Sequence, residues 1–285
     1  MSKVAMGFDA RAYLEKLAQS ADENIELAFA AIAIATLSQP DIHPERFFNH
    51  LDKLKLLVAE NHAALLQQGE TDDVNTRLRA LQEVMVIDQG YEGDQKNYDD
   101  LQNADLIRVI ERRKGLPIAL CILYIHAARS QGWEIAGLNL PGHFVCRLEK
   151  DGERLIFDPF HSGRILQAPD LRQIVKQTAG PQAELSAAYF EPATNRDILI
   201  RLQNNIKYRL IDAEDYEAAL KIVDVMRLIA PEEYRLLLDA GVLSARTERP
   251  RAAIDFLEDY IRLAPADRDR QEAAILLQQL KESLN

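Results

Sequence analysis

The first ninety residues place their apolar positions at the period of an amphipathic helix. Between residues 9 and 88 these positions recur at three- and four-residue steps, in stretches at 25–37, 47–57 and 74–86. The pattern therefore predicts a helical N-terminal part of the protein with three main helices.

The middle of the chain begins with a polar loop and continues into helices. Residues 90–103 are rich in Asp, Asn and Gly, which is typical of a loop. A helix through 106–112 is predicted to end at the run 112–115 (RRKG), because late basic residues and a glycine suit a helix C-terminus. Pro117 fits the first position of the next helix, 118–130, which is apolar almost all round and is therefore expected to be central.

After this helix the pattern changes to that of β-strands. Strand-like residues run through 135–140, 143–148 and 154–158, and Asp151-Gly152 is a turn signal between the last two. Helices followed by clustered antiparallel strands indicate an α+β domain.

The last ninety residues repeat themselves. Residues 215–220 (DYEAAL) resemble residues 249–254 (RPRAAI), and each segment is followed by an Ala-Pro pair at an offset of 34 residues. A 34-residue period, with alanine at the helix crossing and proline after the second helix, is the signature of tetratricopeptide repeats. Gly241 takes the small-residue position of the repeat, and Lys207 stands at that place in the first unit.

These patterns divide the chain into two domains. The first is expected over 1–190, with its helices in 1–130 and its strands in about 133–166. The second is expected over 195–285, as two tetratricopeptide-like repeats plus a capping helix. The fold class is therefore α+β, followed by an all-α helical region.

Composition and charge narrow the possible partners and location. The formal net charge is −11 and neither the head nor the tail is basic, so we expect no nucleic-acid partner. The longest apolar stretch, 27–37, is shorter than the roughly 20 residues of a membrane span, so we expect no membrane partner. Residues 1–10 include Asp9 and are unlike a signal peptide, and two cysteines are too few for a secreted disulfide framework. These features predict a cytoplasmic protein.

The candidate chemistry lies within 112–166. Its motifs are 115–118 (GLPI) at the start of the apolar helix, 141–144 (PGHF) in the strands, and 157–160 (FDPF) shortly before Gly163. These motifs resemble the transglutaminase-like superfamily, whose domain has a papain-type fold. More narrowly, most of the chain resembles the bacterial SirB-type family, which joins such a domain to C-terminal tetratricopeptide repeats.

The resemblance implies a catalytic plan that this sequence fulfils only in part. In catalytic members, a cysteine at the start of the central helix is activated by a strand histidine, which an aspartate on the next strand orients. The resemblance places the base at His143 and its partner at Asp158. The nucleophile position falls at Pro117 or Ile118, and Ala119 stands where relatives often carry Ser or Thr, so the usual nucleophile is missing.

Cys121 is the candidate substitute for the missing nucleophile. It lies four residues after Pro117, on the same helix face and one turn deeper. The activating effect of a helix N-terminus fades within the first turn, and a cysteine inside a continuous apolar run is commonly a core residue. Cys146 is expected to be core, because strand alternation points it away from His143. The sequence leaves both a core role and a nucleophile role open for Cys121.

The remaining candidates flank this pair. Arg112 and Arg113 could bind a carboxylate or phosphate group, or could form a solvated helix end. Asn139 and His161 are the other predicted pocket-lining residues. His43, His50 and His62 do not form a tight metal-ligand spacing, and the chain has no Cys-x-x-Cys pair, so we expect no metal. The glycines are scattered and form no phosphate-binding loop, and we expect no cofactor.

Three hypotheses of function follow. The first is a degenerate transglutaminase-like protein that acts mainly as a protein-binding or regulatory module, with a protein or peptide partner on its tetratricopeptide region. The alternative is a cysteine-dependent hydrolase or acyltransferase that uses Cys121, His143 and Asp158. The third is a purely structural adaptor, which predicts a fully enclosed His143.

Overall fold

The computed structural model describes residues 8–39 and 41–283, which divide into two compact units. The first unit contains residues 8–11 and 21–202, and the second contains 12–20 and 203–283. In the part of the chain that the structure describes, no helix combines the length and apolarity needed to cross a membrane.

The described residues form twelve α-helices and six β-strands. The helices are α1 (Ala10–Ala18), α2 (Leu27–Leu37), α3 (Glu45–Gln67), α4 (Val74–Gln82), α5 (Leu106–Arg112), α6 (Pro117–Arg129), α7 (Ala168–Ala179), α8 (Asn195–Asp212), α9 (Tyr216–Ile229), α10 (Arg235–Arg246), α11 (Pro250–Leu263) and α12 (Asp267–Ser283). The strands are β1 (Glu92–Gly93), β2 (Lys114–Gly115), β3 (Glu134–Leu140), β4 (His143–Lys150), β5 (Glu153–Asp158) and β6 (Arg164–Ile165). The predicted fold class is confirmed, because helices precede an antiparallel sheet and an all-helical region follows it.

The N-terminal helices form where the apolar period places them. α2 buries eight of its eleven residues, which matches its nearly uniform apolarity. Asp73 begins α4 by accepting a hydrogen bond from the backbone N–H of Thr76 at 2.8 Å. α4 then continues into a π-helical turn, Glu83–Asp88, before the polar loop begins.

The main sheet has the strand order β3-β4-β5-β6, and every pairing is antiparallel. Asp151 and Gly152 form the predicted turn between β4 and β5, and both have positive φ (50° and 85°). α6 covers one face of the sheet, where Tyr124 lies 5.6 Å from the ring of Phe157. α7 covers the other face, where Leu171 and Val175 pack with strand residues in one buried cluster. The sheet therefore separates α6 from α7.

The end of α5 differs from the sequence prediction. Arg113, rather than Gly115, adopts the left-handed conformation that ends the helix, with φ 61°. The Arg113 guanidinium donates to the hydroxyl of Tyr91 at 2.6 Å and to the carbonyl of Ile110 at 2.7 Å, which holds this conformation. Gly115 instead pairs in β2, where a Cβ would lie 2.9 Å from the side chain of Val109. The glycine is needed for close packing and not for the helix cap.

The second unit consists of helical hairpins with the predicted repeat. The two equivalent alanines, Ala219 and Ala253, are fully buried at the helix crossings. Gly241 lets α10 approach α11, since a Cβ there would lie 2.8 Å from Leu257. Lys207, at the position equivalent to Gly241, is 2% exposed, and its ammonium donates to Asp239 at 2.6 Å. The small residue of one repeat is thus replaced in the other by a buried lysine that pairs with a partly exposed aspartate.

Candidate functional site

The β4–β5 hairpin and the turn after it bring two histidines to one buried carboxylate. Asp158 ends β5 and is 1% exposed. Its Oδ1 accepts from the backbone N–H of Phe160 at 2.9 Å, which begins a short 3-10 turn, Pro159–His161. Its Oδ2 lies 2.8 Å from Nε2 of His143 and 2.7 Å from Nδ1 of His161. His143 and Asp158 therefore lie in contact, as the resemblance implied, and His161 contacts the same carboxylate.

The ionised carboxylate fixes which nitrogen of each ring carries a proton. A carboxylate only accepts hydrogen bonds, so His143 donates through Nε2 and His161 donates through Nδ1. In a neutral ring, the lone pair then lies on Nδ1 of His143 or on Nε2 of His161. Burial of Asp158 raises the pKa of its carboxyl, but the hydrogen bonds and charges of His143 and then His161 outweigh that effect. The net result is a pKa below the usual value.

The turn before His143 is held by its surroundings. Gly142 has φ 70°, and a Cβ on it would lie 2.1 Å from Oγ1 of Thr178 in α7, so this position requires glycine. The Arg201 guanidinium donates to the carbonyl of His143 at 2.9 Å. The His143 side chain is 14% exposed, whereas the adaptor hypothesis requires a fully enclosed side chain.

A cavity of about 300 Å³ lies beside the histidines. The strand side and the turn contribute His143, Asp158 and His161, and the lining is completed by Gly142, Arg164, Leu166, Asp170, Gln173, Ile174, Gln177 and Thr178. Most of the residues that complete the lining belong to α7, a helix that was not predicted from the sequence. The sequence does contain a signal for α7: Gln167 and Asp170 are spaced as a capping box, and Leu171 and Val175 follow at a helical step. In the structure Asp170 accepts from the backbone N–H of Gln167 at 2.9 Å.

Cys121 lies on the other side of the sheet from this cavity. Its side chain is fully buried in α6, and its sulfur donates to the backbone carbonyl of Phe144 at 3.6 Å. Burial raises the pKa of the Cys121 thiol well above its usual value, and the neighbouring thiol of Cys146 raises it further. Strand alternation places Cys146 towards α6, whereas Val145 packs with the α7 cluster and shares its face with His143. The arrangement opposes a nucleophile role for Cys121.

Three predicted pocket residues lie away from this cavity. Arg112 reaches back to the polar loop, where it donates to Asp94 at 2.8 Å and to Asn103 at 2.9 Å. Arg113 holds the end of α5. Asn139 is exposed on β3, opposite Phe144 in the strand register. The two arginines thus stabilise the loop and helix end beside α6, and of the four predicted pocket-lining residues His161 is the one that lines the cavity.

Comparison with protein families agrees with this architecture. The profile of the Transglutaminase-like superfamily matches residues 46–204, and that of the Tetratricopeptide repeat matches residues 206–278. The first match spans more than half of the chain and contains both His143 and Asp158. The chain therefore belongs to the transglutaminase-like superfamily.

Curated bacterial relatives place the chain in the SirB-type family that the motifs resembled. A UPF0162 protein of Pseudomonas aeruginosa is 32% identical over 220 residues, covering 77% of this chain and 76% of that protein. A UPF0162 protein of Xylella fastidiosa is 29% identical over 256 residues, covering 88% of each. Protein SirB1 of Salmonella typhimurium is 22% identical over 255 residues, covering 89% of this chain and 92% of that protein. No solved structure gives a significant match.

The domain combination carries a general functional meaning. Tetratricopeptide repeats commonly mediate contacts between proteins, and their stacked helices offer extended binding surfaces. A transglutaminase-like domain joined to such repeats supports a regulatory or protein-binding role.

Proposed function

We propose that this protein is a degenerate transglutaminase-like protein that binds a protein partner and performs no thiol-dependent catalysis. The observation that carries the proposal is the position of the Cys121 sulfur, which is buried against Phe144 on the α6 side of the sheet. The residues at the start of α6 are Pro117, Ile118 and Ala119, none of which has a nucleophilic atom. His143 therefore has an orienting carboxylate but no thiol to activate.

The alternative is a cysteine-dependent hydrolase or acyltransferase. It requires the Cys121 sulfur to come within hydrogen-bond reach of His143, about 3 to 4 Å. Strand alternation places the thiol pair and the imidazole on opposite faces of β4, so that approach would require the sheet to rearrange. The present geometry favours the binding role.

The second unit carries a candidate binding surface. Tyr208 and Val242 are exposed by 56% and 36%, and they stand 34 residues apart on α8 and α10, at equivalent positions of the two repeats. Ile275 on α12 is 60% exposed at nearly the same spacing. Recurring exposed apolar side chains on the first helix of each hairpin suit a peptide or helix with apolar anchors. We infer that the partner binds along this row.

The test is affinity capture of partner proteins with surface variants. The double variant Tyr208→Glu/Val242→Glu places charge on the proposed row, and Leu263→Glu is its matched control, since Leu263 is 54% exposed on α11. We expect a partner that is retained by the wild type and by Leu263→Glu and lost from the double variant. Equal retention by all three proteins would contradict the proposed surface, provided that circular dichroism shows each of them folded.

A further inference from the structure

The residues around Asp158 form a donor set for a metal ion. Among the described residues, His143, Asp158 and His161 each offer one ligand atom, and these atoms lie within 4.8 Å of one another. We propose that Nε2 of His143, Oδ2 of Asp158 and Nδ1 of His161 bind a divalent transition-metal ion such as Zn²⁺. This proposal differs from the expectation of no metal. The three donors are 15 and 3 residues apart, on a strand, at the end of the next strand and in a turn, and these spacings do not form a recognisable ligand motif.

The chemistry of the donors suits such an ion. Two imidazole nitrogens and one carboxylate oxygen are the ligands that Zn²⁺ and similar ions prefer over Mg²⁺ or Ca²⁺. In the structure each histidine donates an N–H to Oδ2 of Asp158, and a bound metal ion would replace these two hydrogen bonds. Each proton moves to the other ring nitrogen of its own imidazole, and neutral histidines therefore release no proton on binding.

The geometry requires an adjustment of all three donor separations, including that of the two histidine nitrogens, which lie within 4.8 Å of each other. Tetrahedral bonds of about 2.1 Å place neighbouring donors about 3.4 Å apart, so the present contacts of 2.8 and 2.7 Å must lengthen by about 0.6 Å. His161 can supply this movement, because its side chain is 49% exposed at the end of a short 3-10 turn. Oδ1 of Asp158 stays fixed by the N–H of Phe160, which directs Oδ2 towards the ion.

Three protein ligands leave one tetrahedral position unfilled by protein. All three residues line the 300 Å³ cavity, so that position is open to water or a small ligand, as in zinc sites with an exchangeable position. The cation in the cavity lining, Arg164, is engaged by Asp170 at 2.5 Å, which limits its repulsion of a bound metal.

The chain also contains an incomplete version of the same arrangement. His62 lies 3.2 Å from Asp72, but that carboxylate is held by Arg77 at 2.8 Å and has Lys150 at 3.7 Å. One histidine beside a carboxylate already bound by cations is a poor metal site. The His62–Asp72 pair is therefore an internal control for the proposed metal site.

The experiment is metal titration of the full-length protein, stripped with chelator and free of any histidine tag. Isothermal titration with Zn²⁺ and visible absorption with Co²⁺ are both measured, since tetrahedral Co²⁺ absorbs far more strongly than the hydrated ion. We expect one ion per chain, binding weakened at least about tenfold in His161→Ala, and a Co²⁺ spectrum that is lost in that variant. The controls are His62→Ala and the exposed surface variant His43→Ala, both of which should bind like the wild type.

Two results would overturn the proposal. One is a wild type that binds neither ion at micromolar concentration. The other is His161→Ala binding both ions like the wild type, which would place the ion elsewhere. His161 is half exposed, so its replacement should leave the fold intact, and circular dichroism checks this directly. Metal binding and partner capture are separate readouts, so the failure of either proposal can be told from the failure of the other.

Discussion

Replacing Asp158 with alanine tests whether the His143–Asp158 pair is formed in the folded protein. The carboxylate is buried and accepts three hydrogen bonds, from Phe160 N, His143 Nε2 and His161 Nδ1. Alanine removes all three acceptor contacts and leaves the N–H of Phe160 and the His143 ring without their partner. We expect the free energy of unfolding to fall by about 3 kcal/mol.

This magnitude follows from the three contacts. Loss of the acceptor that begins the 3-10 turn costs about 1 kcal/mol, as for a helix N-cap. Loss of the charge-assisted bond to His143, whose side chain is 14% exposed, costs about 2 kcal/mol. The half-exposed His161 adds little, because solvent screens its interaction. His161→Ala is therefore the control, with an expected loss below about 1 kcal/mol.

The assay is urea unfolding followed by tryptophan fluorescence in the presence of chelator. Trp133 is the single tryptophan, is 6% exposed, and belongs to the same unit as Asp158, so it reports the unfolding of that unit. The folded-state pKa of Asp158 is lowered, so its contribution is complete above the unfolded pKa of 3.8 and is lost as pH falls through the folded value. A loss below about 1 kcal/mol in Asp158→Ala at pH 7 would refute the reasoning.

Three further changes test other parts of the structure. Burial first, and then the charge of Arg113, lower the pKa of His50 from 6.5 to about 4, so stability should fall as pH falls from 6.5 towards 4, and His50→Gln should reduce that slope. Gly142→Ala should cost about 2 kcal/mol or more, because φ is 70° and the new Cβ would clash with Thr178. Adding Thr178→Ala should restore only part of this loss, because it removes Oγ1 at 2.1 Å but keeps the Cβ of residue 178 at 2.9 Å. Asp239→Ala should cost about 3 kcal/mol by leaving a buried lysine charge unpaired, whereas Lys207→Met should cost much less.

Each of these changes has a defined measurement. Urea midpoints between pH 4 and 8 test His50→Gln, and an unchanged pH slope would contradict its assignment. Thermal unfolding of the single and double variants tests Gly142→Ala, and full recovery in the double variant would show that backbone strain contributes nothing. Far-ultraviolet circular dichroism during unfolding compares the two ion-pair variants, and a larger loss for Lys207→Met would reverse the expected order.

Local signals in the sequence predicted much of the scaffold of the site. The turn at Asp151-Gly152 fixes the β4–β5 hairpin and so brings His143 near Asp158. Pro117 begins α6, and the 34-residue repeat sets the hairpins of the second unit. These features depend on a few neighbouring residues or on a fixed period, so they can be read without knowledge of the tertiary fold.

Other features depend on tertiary contacts and were missed. His161 was predicted to line the pocket, but its contact with Asp158 was not predicted, because it depends on the 3-10 turn Pro159–His161 and no hydrophobic period marks such a turn. Arg113 takes a left-handed conformation because Tyr91, distant in sequence, receives its hydrogen bond. The burial of Lys207 likewise depends on Asp239 in another helix.

The central claim is that no thiol serves His143, and native thiol alkylation tests it most directly. The protein is treated with iodoacetamide from pH 5 to 9, and the modified cysteines are mapped by mass spectrometry before and after denaturation. Cys121 and Cys146 are both fully buried, so we predict that neither reacts until the protein is unfolded. Rapid modification of Cys121 near pH 6 in the folded protein, abolished by His143→Ala, would contradict the account and establish a thiol–imidazole pair.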